Sequence, residues 1–398
     1  MSTMISSAAF PFGAPPTYLE SRKTPWRKWT PKALFHLALY LGVCAAASIL
    51  VAGRIDEAGL STLVGVFGLL ATWRYGWWLT HLVRGKIYQN LKYPRMAREA
   101  DACWDDGWRP DRMHFLLTVY KEEEETLEAV LRAICAELRR EGLKGSIWLG
   151  SKTPEDEAMV EEYLQLIAAD LPLELRIVRQ SASGKRNAIA DILKCMAREG
   201  LGQNHFVAFM DSDFILFPGA LRRALPLFAR DPELHAVTTD EECVVKGPQW
   251  IRSWLNMRFA QRRIGMMSHA LSDRVLTLTG RFSIFRTTHI LEPDFIETVQ
   301  NDRLRHWLWG EFKFLSGDDK STWYALLRLG VRMAYVPDAT GYTLESIEGS
   351  GVKRMTENLL RWSGNMLRNG ARAIALGPRR MPFFIWWCLV DQRLAMWT

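Results

Sequence analysis

Three short stretches of this sequence hold residues whose types and spacing could do chemistry. Asp211-Ser212-Asp213 follows the apolar run Phe206–Met210. With 19 aspartates in 398 residues, about one D-x-D is expected by chance, so the motif gains meaning only from its place. At the carboxyl end of a buried strand, two carboxylates repel unless a cation sits between them. A hard divalent cation that also binds a diphosphate suits such a pair; the bland alternative is a solvated turn before Phe217-Pro218. Gly317-Asp318-Asp319-Lys320 precedes the helical run Ser321–Leu329. Its aspartates read as a helix cap, or as a carboxylate at a helix start acting as general base. Ser183-Gly184-Lys185-Arg186-Asn187 opens another helix, where glycine with adjacent cations suits an anionic ligand. The acidic run Glu122–Glu125 reads instead as surface that complements a helix dipole. There is no G-x-G-x-x-G and no Walker loop, so the commonest phosphate-binding signatures are missing.

The elements that must position these residues follow from the hydrophobic pattern. Strands are expected at His114–Tyr120, Ser146–Gly150, Leu173–Val178 and Phe206–Met210. Helical patterns separate them, running through Leu138, over Pro154–Ala169 and over Asn187–Arg198. This alternation predicts an α/β domain over residues 111–346, with a mainly parallel sheet flanked by helices. Ligands of such sheets bind at the carboxyl ends of the strands, which is where Asp211 and Asp213 fall.

Composition adds a second component. With 51 Lys and Arg against 44 Asp and Glu, 48% apolar and 24% charged residues, and a mean hydropathy of -0.09, the chain is neither disordered nor embedded in lipid throughout. Its 17 tryptophans point to a membrane–water boundary. Ala33–Gly53 carries no charge and is long enough to span a hydrocarbon core as a helix. A second apolar run, Ala58–Val83, is interrupted by Arg74. Basic residues flank the two runs on both outer sides, which places those flanks in the cytoplasm. The expected organisation is a cytoplasmic tail (1–32), a transmembrane helix pair (33–83), a basic juxtamembrane linker (84–110), the α/β domain (111–346), amphipathic interfacial helices (347–380) and the start of a further membrane segment (381–398). From Lys353 to Arg380, Lys353, Arg354, Arg361, Arg368, Arg372, Arg379 and Arg380 meet a single acid, Glu357, as on an anionic leaflet. Basic clusters beside apolar segments argue for a membrane and against nucleic acid. Six scattered cysteines without a C-x-x-C pair argue against a zinc site or a disulfide framework.

Taken in order, Asp211-Ser212-Asp213, Arg258–Arg262, Val275–Arg281, Phe314–Ser321, Arg361-Trp362 and Asp391–Arg393 resemble the processive, membrane-integrated glycosyltransferases of family 2. The resemblance covers nearly the whole chain and is nearest to the branch that polymerises mannuronate, the alginate precursor. It implies a GT-A domain and an inverting enzyme that extends a β-linked exopolysaccharide from a nucleotide-sugar, here β-1,4-mannuronan from GDP-mannuronate. It further implies that Asp211 and Asp213 hold Mg2+ (or Mn2+), and that Asp319, beside Asp318, is the catalytic base. Lys185, Asp211 and Arg361 would face the donor, while Gly280, Arg281 and Trp362 would border the acceptor. An inner-membrane, multi-pass location with the catalytic domain in the cytoplasm is implied as well. So are a secretion complex and a separate cyclic di-GMP-sensing partner subunit, since this chain lacks the R-x-x-x-R plus D-x-S-x-x-G pair. Two departures stand out. Leu149-Gly150-Ser151-Lys152 replaces the family's D-D-G-S, and Asn358 replaces the glutamine of Q-x-x-R-W. The alternatives are a UDP-hexose-dependent β-glycan synthase and, from another class, an inactive membrane scaffold.

Overall fold

Four runs of apolar residues, each closed by turn residues, build one half of a sheet. The computed structural model describes residues 31–52, 57–120, 122–306, 310–313, 317–347 and 350–395. The tail over 1–30, the link Arg54–Asp56, Phe314–Ser316 and Trp397 lie outside the described residues. Strands β1 (Arg112–Thr118), β2 (Gly145–Ser151), β3 (Leu173–Arg179) and β4 (His205–Asp211) alternate with helices α4 (Glu124–Glu141), α5 (Pro154–Ile167) and α6 (Lys185–Glu199). Helices α1–α3 precede them and are described below. β1 pairs in parallel with both β2 and β4, and β2 with β3. β1, β2 and β4 are almost wholly buried, as strands covered on both faces must be.

The other half departs from the expected pattern. The sheet has eight strands in the order β3-β2-β1-β4-β7-β6-β10-β5, with β5 (Phe214–Leu216), β6 (Leu234–Lys246), β7 (Phe282–Arg286) and β10 (Arg332–Ser346). β7 runs antiparallel to both β4 and β6, β5 runs antiparallel to β10, and β6 and β10 are parallel. The sheet is therefore mixed rather than mainly parallel. The reason is local: β7 enters from the site end of the sheet, just after Gly280-Arg281, and runs back along β4 with Met210 opposite Phe282. Strands β8 (Arg303–His306) and β9 (Gly310–Lys313) form a separate hairpin. Helix α7 (Gln249–Ala270) follows β6, α8 (Pro293–Gln300) follows β7, and α9 (Asp318–Leu329) precedes β10. Helices α10 (Gly351–Ala375) and α11 (Phe383–Leu394) close the described chain.

Residues 84–110, expected as a linker, are instead structured. Helix α2 (Glu57–Ile87) continues through a π-helical turn, Tyr88–Lys92, into α3 (Tyr93–Asp105). Tyr88, Tyr93, Met96 and Trp104 are buried, and the Tyr88 hydroxyl donates to the Tyr335 carbonyl at 2.6 Å. Their basic neighbours are used the same way: Lys92 reaches Asp273 at 2.7 Å. The described residues fall into two compact units, with 82–395 forming one.

The other unit, up to His81, contains α1 (Pro31–Ala52) and most of α2. Leu34, Phe35, Leu39, Val43, Ile49 and Leu50 are exposed on α1, and Val64, Phe67, Leu69, Trp73 and Trp78 on α2. Among the described residues no helix is long and apolar enough to cross a membrane. Positions 32, 33, 36, 37, 40, 47, 51 and 52 of α1 have no described side chain and stand outside that statement. At the other end, α11 has 12 residues and rises about 18 Å, short of the ~30 Å hydrocarbon core. Its Ile385, Cys388 and Leu389 are buried.

The tightest backbone approach in the sheet is at Gly341, where a Cβ would lie 2.4 Å from the Phe214 ring and 2.6 Å from the Ile215 carbonyl. Gly341→Ala should overpack the β5–β10 pairing at a cost of about 1–3 kcal/mol. Thermal unfolding of the detergent-solubilised chain should read this as a lower midpoint; an unchanged midpoint would show that β5 yields freely.

Candidate active site

The site is built where β4 ends and β7 begins. β4 delivers Asp211 at its last position, and the Asp211 amide donates to the Arg281 carbonyl at 3.2 Å. The antiparallel β7 therefore sets Gly280-Arg281 directly across from the D-x-D. Helix α6 begins at Lys185, after Gly184 in a left-handed conformation (φ 112). Helix α9 begins at Asp318, after Gly317 at φ 80. Two helix starts and one strand end thus converge. Lys185 Nζ ion-pairs with Asp211 and lies 3.2 Å from Asp318 Oδ2. A Cβ on Gly280 would stand 3.7 Å from Asp318 Oδ2, 3.7 Å from Lys185 Nζ and 3.8 Å from Asp319 Cβ. The three stretches with candidate chemistry meet in one cleft.

Electrostatics separates the carboxylates. Burial, with Asp211 beside it, pushes Asp213 up to about 6. Burial would also raise Asp318, but Lys185 and Arg186 outweigh it and hold Asp318 below the usual carboxylate range. Asp319 is raised by burial and then by the charge of Asp318. Its Oδ2 is 3.4 Å from Thr277 Oγ1. Neighbouring groups held apart in this way are how one site keeps a fixed charge and a proton acceptor together. Burial opposes the charge of Lys185, and Asp211 and Asp318 overcome it, so the ammonium stays protonated. Lys320 is lowered to about 8 by burial, and its Nζ donates to the Leu276 carbonyl at 2.5 Å.

Two acidic residues join that sequence reasoning left aside. Glu122, read as helix-start surface, accepts from Ser212 Oγ at 2.9 Å and so lies behind the D-x-D. Glu241 is buried on β6. It ion-pairs with Arg262, lies 3.3 Å from Arg281 Nη1 and accepts from Thr279 Oγ1 at 2.7 Å. Burial works against the charge of Arg281, and Glu241 outweighs it; the guanidinium also sits over the Phe259 ring, 5.2 Å from its centroid. The available signal was Asp240-Glu241-Glu242 inside an otherwise apolar strand, since buried acids need partners. Arg262-Arg263 supplies them, with Arg263 reaching Asp240 at 2.7 Å and Glu242 at 2.6 Å.

The structure does not bring every expected residue into direct contact with this cluster. Arg361 is exposed on α10, with its Nη2 donating to Asn358 Oδ1 at 3.1 Å. Trp362 stacks on Trp254 of α7 at 6.2 Å and 7°, within an apolar cluster that includes Ile251, Leu255 and Phe259. The cluster that Trp362 packs against thus includes Phe259, the ring under Arg281. Beyond the first three strands, Tyr120 is exposed, with Lys152 Nζ 5.7 Å from its ring centroid. Lys152 donates to Ser183 Oγ at 2.8 Å.

Asp211 and Asp213 offer hard oxygen ligands that could hold a divalent cation.

The profile of the family described as "Glycosyltransferase like family 2" matches residues 110–365. The chain is 35% identical over 366 residues to glycosyltransferase alg8 of Pseudomonas syringae pv. tomato, covering 92% of this chain and 73% of that protein. It is 33% identical over 363 residues to glycosyltransferase alg8 of Azotobacter vinelandii, covering 90% and 73%. A solved mannosyltransferase of Pyrobaculum calidifontis, in complex with GDP-Man and Mn2+, aligns over 79% of this chain and 80% of its own, with 19% identity and a TM-score of 0.49.

Because the folded-state value of Asp213 lies above its ordinary 3.8, the ionised carboxylate costs stability. The cost is absent below about pH 4, builds between about pH 4 and 6, and is full above that. Asp213→Asn should therefore raise the metal-free thermal midpoint at pH 7.5 by about 2–4 °C and abolish any further rise on adding Mn2+. An Asn variant that still gains stability from Mn2+ would remove Asp213 from the donor set.

Proposed function

The chain belongs to the glycosyltransferases of family 2, and from that premise we propose that it is an inverting, processive enzyme that extends a β-linked polymer at the cytoplasmic face of a membrane. We assign GDP-mannuronate as donor and β-1,4-mannuronan as product. The observation that carries this reading is the ion pairing of one ammonium, Lys185, with both Asp211 and Asp318. It joins the D-x-D of a donor site to the acid pair of an acceptor site.

The chemistry then follows from the residues. Asp319, raised by burial, accepts the proton of the acceptor hydroxyl as that oxygen attacks the anomeric carbon. The bond from that carbon to the diphosphate breaks on the opposite face, which inverts the configuration and releases the nucleoside diphosphate. Lys185 offers fixed positive charge to the departing diphosphate, already oriented by its carboxylate partners, while Gly280 and Arg281 border the acceptor. Asp211 and Asp213 would hold a divalent cation, Mg2+ or Mn2+, which when bound supplies further neutralisation of the leaving group. Asp318 remains ionised and keeps Lys185 in place. Arg361 and Trp362 belong to the donor and acceptor margins in this reading, reached through α10.

The base assignment draws on the residues that follow β1 and β2. Leu149-Gly150 stand where family relatives carry acids, and Lys152, just after them, lies beside the exposed Tyr120. An ammonium suits the adjacent O6 and N7 acceptors of guanine, and an exposed ring suits stacking. The apolar exteriors of α1 and α2 and the arginine-rich α10 support an inner-membrane setting. A secretion complex and a cyclic di-GMP-sensing partner subunit complete the proposal.

Nucleotide release in membranes should be strong with GDP-mannuronate and about a hundredfold weaker with UDP-glucose. The reverse preference would install the UDP-hexose synthase reading, and no release with either would leave the scaffold. Asp319→Asn should lower kcat by at least about a thousandfold. For the wild-type enzyme, kcat should fall as pH drops through a value above the usual aspartate range, because the base must be ionised to accept a proton. An acid limb at or below that range would move the base elsewhere.

A further inference from the structure

We infer that α10 clamps the turn carrying Asp318 and Asp319, through a buried network whose central carboxylate, Asp302, is a positioning residue for the reaction. The network consists of Arg186, Ser321, Asp302 and Arg372. Asp302 is 4% exposed and Ser321 fully buried. Arg372 of α10 grips Asp302 with both guanidinium nitrogens, Nη2 to Oδ2 at 3.0 Å, and the same guanidinium lies 4.2 Å from the Tyr324 ring centroid. Asp302 Oδ2 accepts from Ser321 Oγ at 2.5 Å. Ser321 Oγ in turn accepts from Arg186 Nη2 at 2.9 Å. Arg186 Nη1 donates to the Val299 carbonyl at 2.8 Å.

The direction of each bond gives the network its purpose. Ser321 stands two residues after Asp319, in the first turn of α9, and its hydroxyl is also 3.3 Å from the Gly317 carbonyl. Arg186 directly follows Lys185, the cation that holds Asp318. The hydroxyl thus ties the start of α6, the start of α9 and the side of α10 to one point. A second contact restrains the same turn. A Cβ on Gly317 would lie 2.5 Å from Asn365 Nδ2, so the α10 amide occupies the space beside that left-handed glycine. The amide orientation is fixed by Arg368, whose Nη2 donates to Asn365 Oδ1. Three arginines of α10 repeat this scheme, each donating to an asparagine three residues earlier: Arg361 to Asn358, Arg368 to Asn365, Arg372 to Asn369. The buried face of α10 is accordingly made of Asn358, Asn365, Asn369, Gly370 and Ala373. A helix that merely rested on the domain would bury an apolar stripe. This one buries amides, which fix direction and register more sharply than apolar contacts do.

The test uses the full chain in detergent with GDP-mannuronate. Ser321→Ala removes the shared hydroxyl but leaves the Asp302–Arg372 pair, so the fold should survive, with a thermal midpoint within a few degrees of wild type. Arg372→Lys keeps the charge and loses the two-point grip. Both should lower kcat about 10- to 100-fold, the scale of a misplaced catalytic group, with donor KM unchanged within about twofold. Wild-type kcat in both variants, with or without a lowered midpoint, would reduce the network to ordinary stabilisation. A rise in donor KM in place of the kcat loss would overturn the inference too, assigning the network to donor binding. The inference rests on the reading of the Asp318–Asp319 turn as catalytic. If Asp319→Asn keeps wild-type kcat, that reading fails on its own, while the kcat of Ser321→Ala still decides whether the turn must be held.

Discussion

The constraint from which the rest of this structure follows is the crowding of like charges at one end of a sheet. Asp211, Asp213, Asp318 and Asp319 come from two distant parts of the chain, and the ammonium of Lys185 spans two of them. Carboxylates so close and so desolvated repel, and that repulsion has to be opposed by geometry. Two left-handed glycines start the helices at the right points. An antiparallel β7 presents Gly280, which adds no side chain to the crowd. Behind the first layer, Glu122 accepts from Ser212, and Glu241 holds Arg281. Much of the polar interior of the domain is scaffolding for this cluster.

Much of this was legible in the sequence, and the reasons are physical. β1, β2 and β4 are apolar runs covered on both faces, β3 alternates as a part-exposed edge strand, and the helices between them carry ordinary amphipathic patterns, so their order followed directly. The D-x-D and the acid pair were identifiable because a strand end and a helix start are places where carboxylates have consequences. The antiparallel course of β7 was not legible, because Phe282–Arg286 is a short run that reads equally well in either direction. Residues 84–110 misled for a related reason. Their basic residues suggested a solvated linker, but the apolar ones, Tyr88, Tyr93, Met96 and Trp104, fall at helical spacing and are buried. Glu122 and Glu241 were passed over because pairing across the sheet or between helices is set by tertiary packing.

Tryptophan divides in the same way. Trp148 and Trp323 are buried in the domain core, and Trp254 and Trp362 stack between two helices. Trp73 and Trp78 stand exposed on α2. The excess therefore has more than one origin, and part of it is plain packing.

The mixed sheet has a further consequence. β7 is a seam: on one side lie β4, β1, β2 and β3, on the other β6, β10 and β5. Lys152 and Tyr120 belong to the first half, Glu241 and its arginines to the second. Among the described residues, the halves meet along the sheet only through the five residues of one short strand. The register of that strand therefore sets how the strand end bearing Asp211 faces the half that bears Glu241.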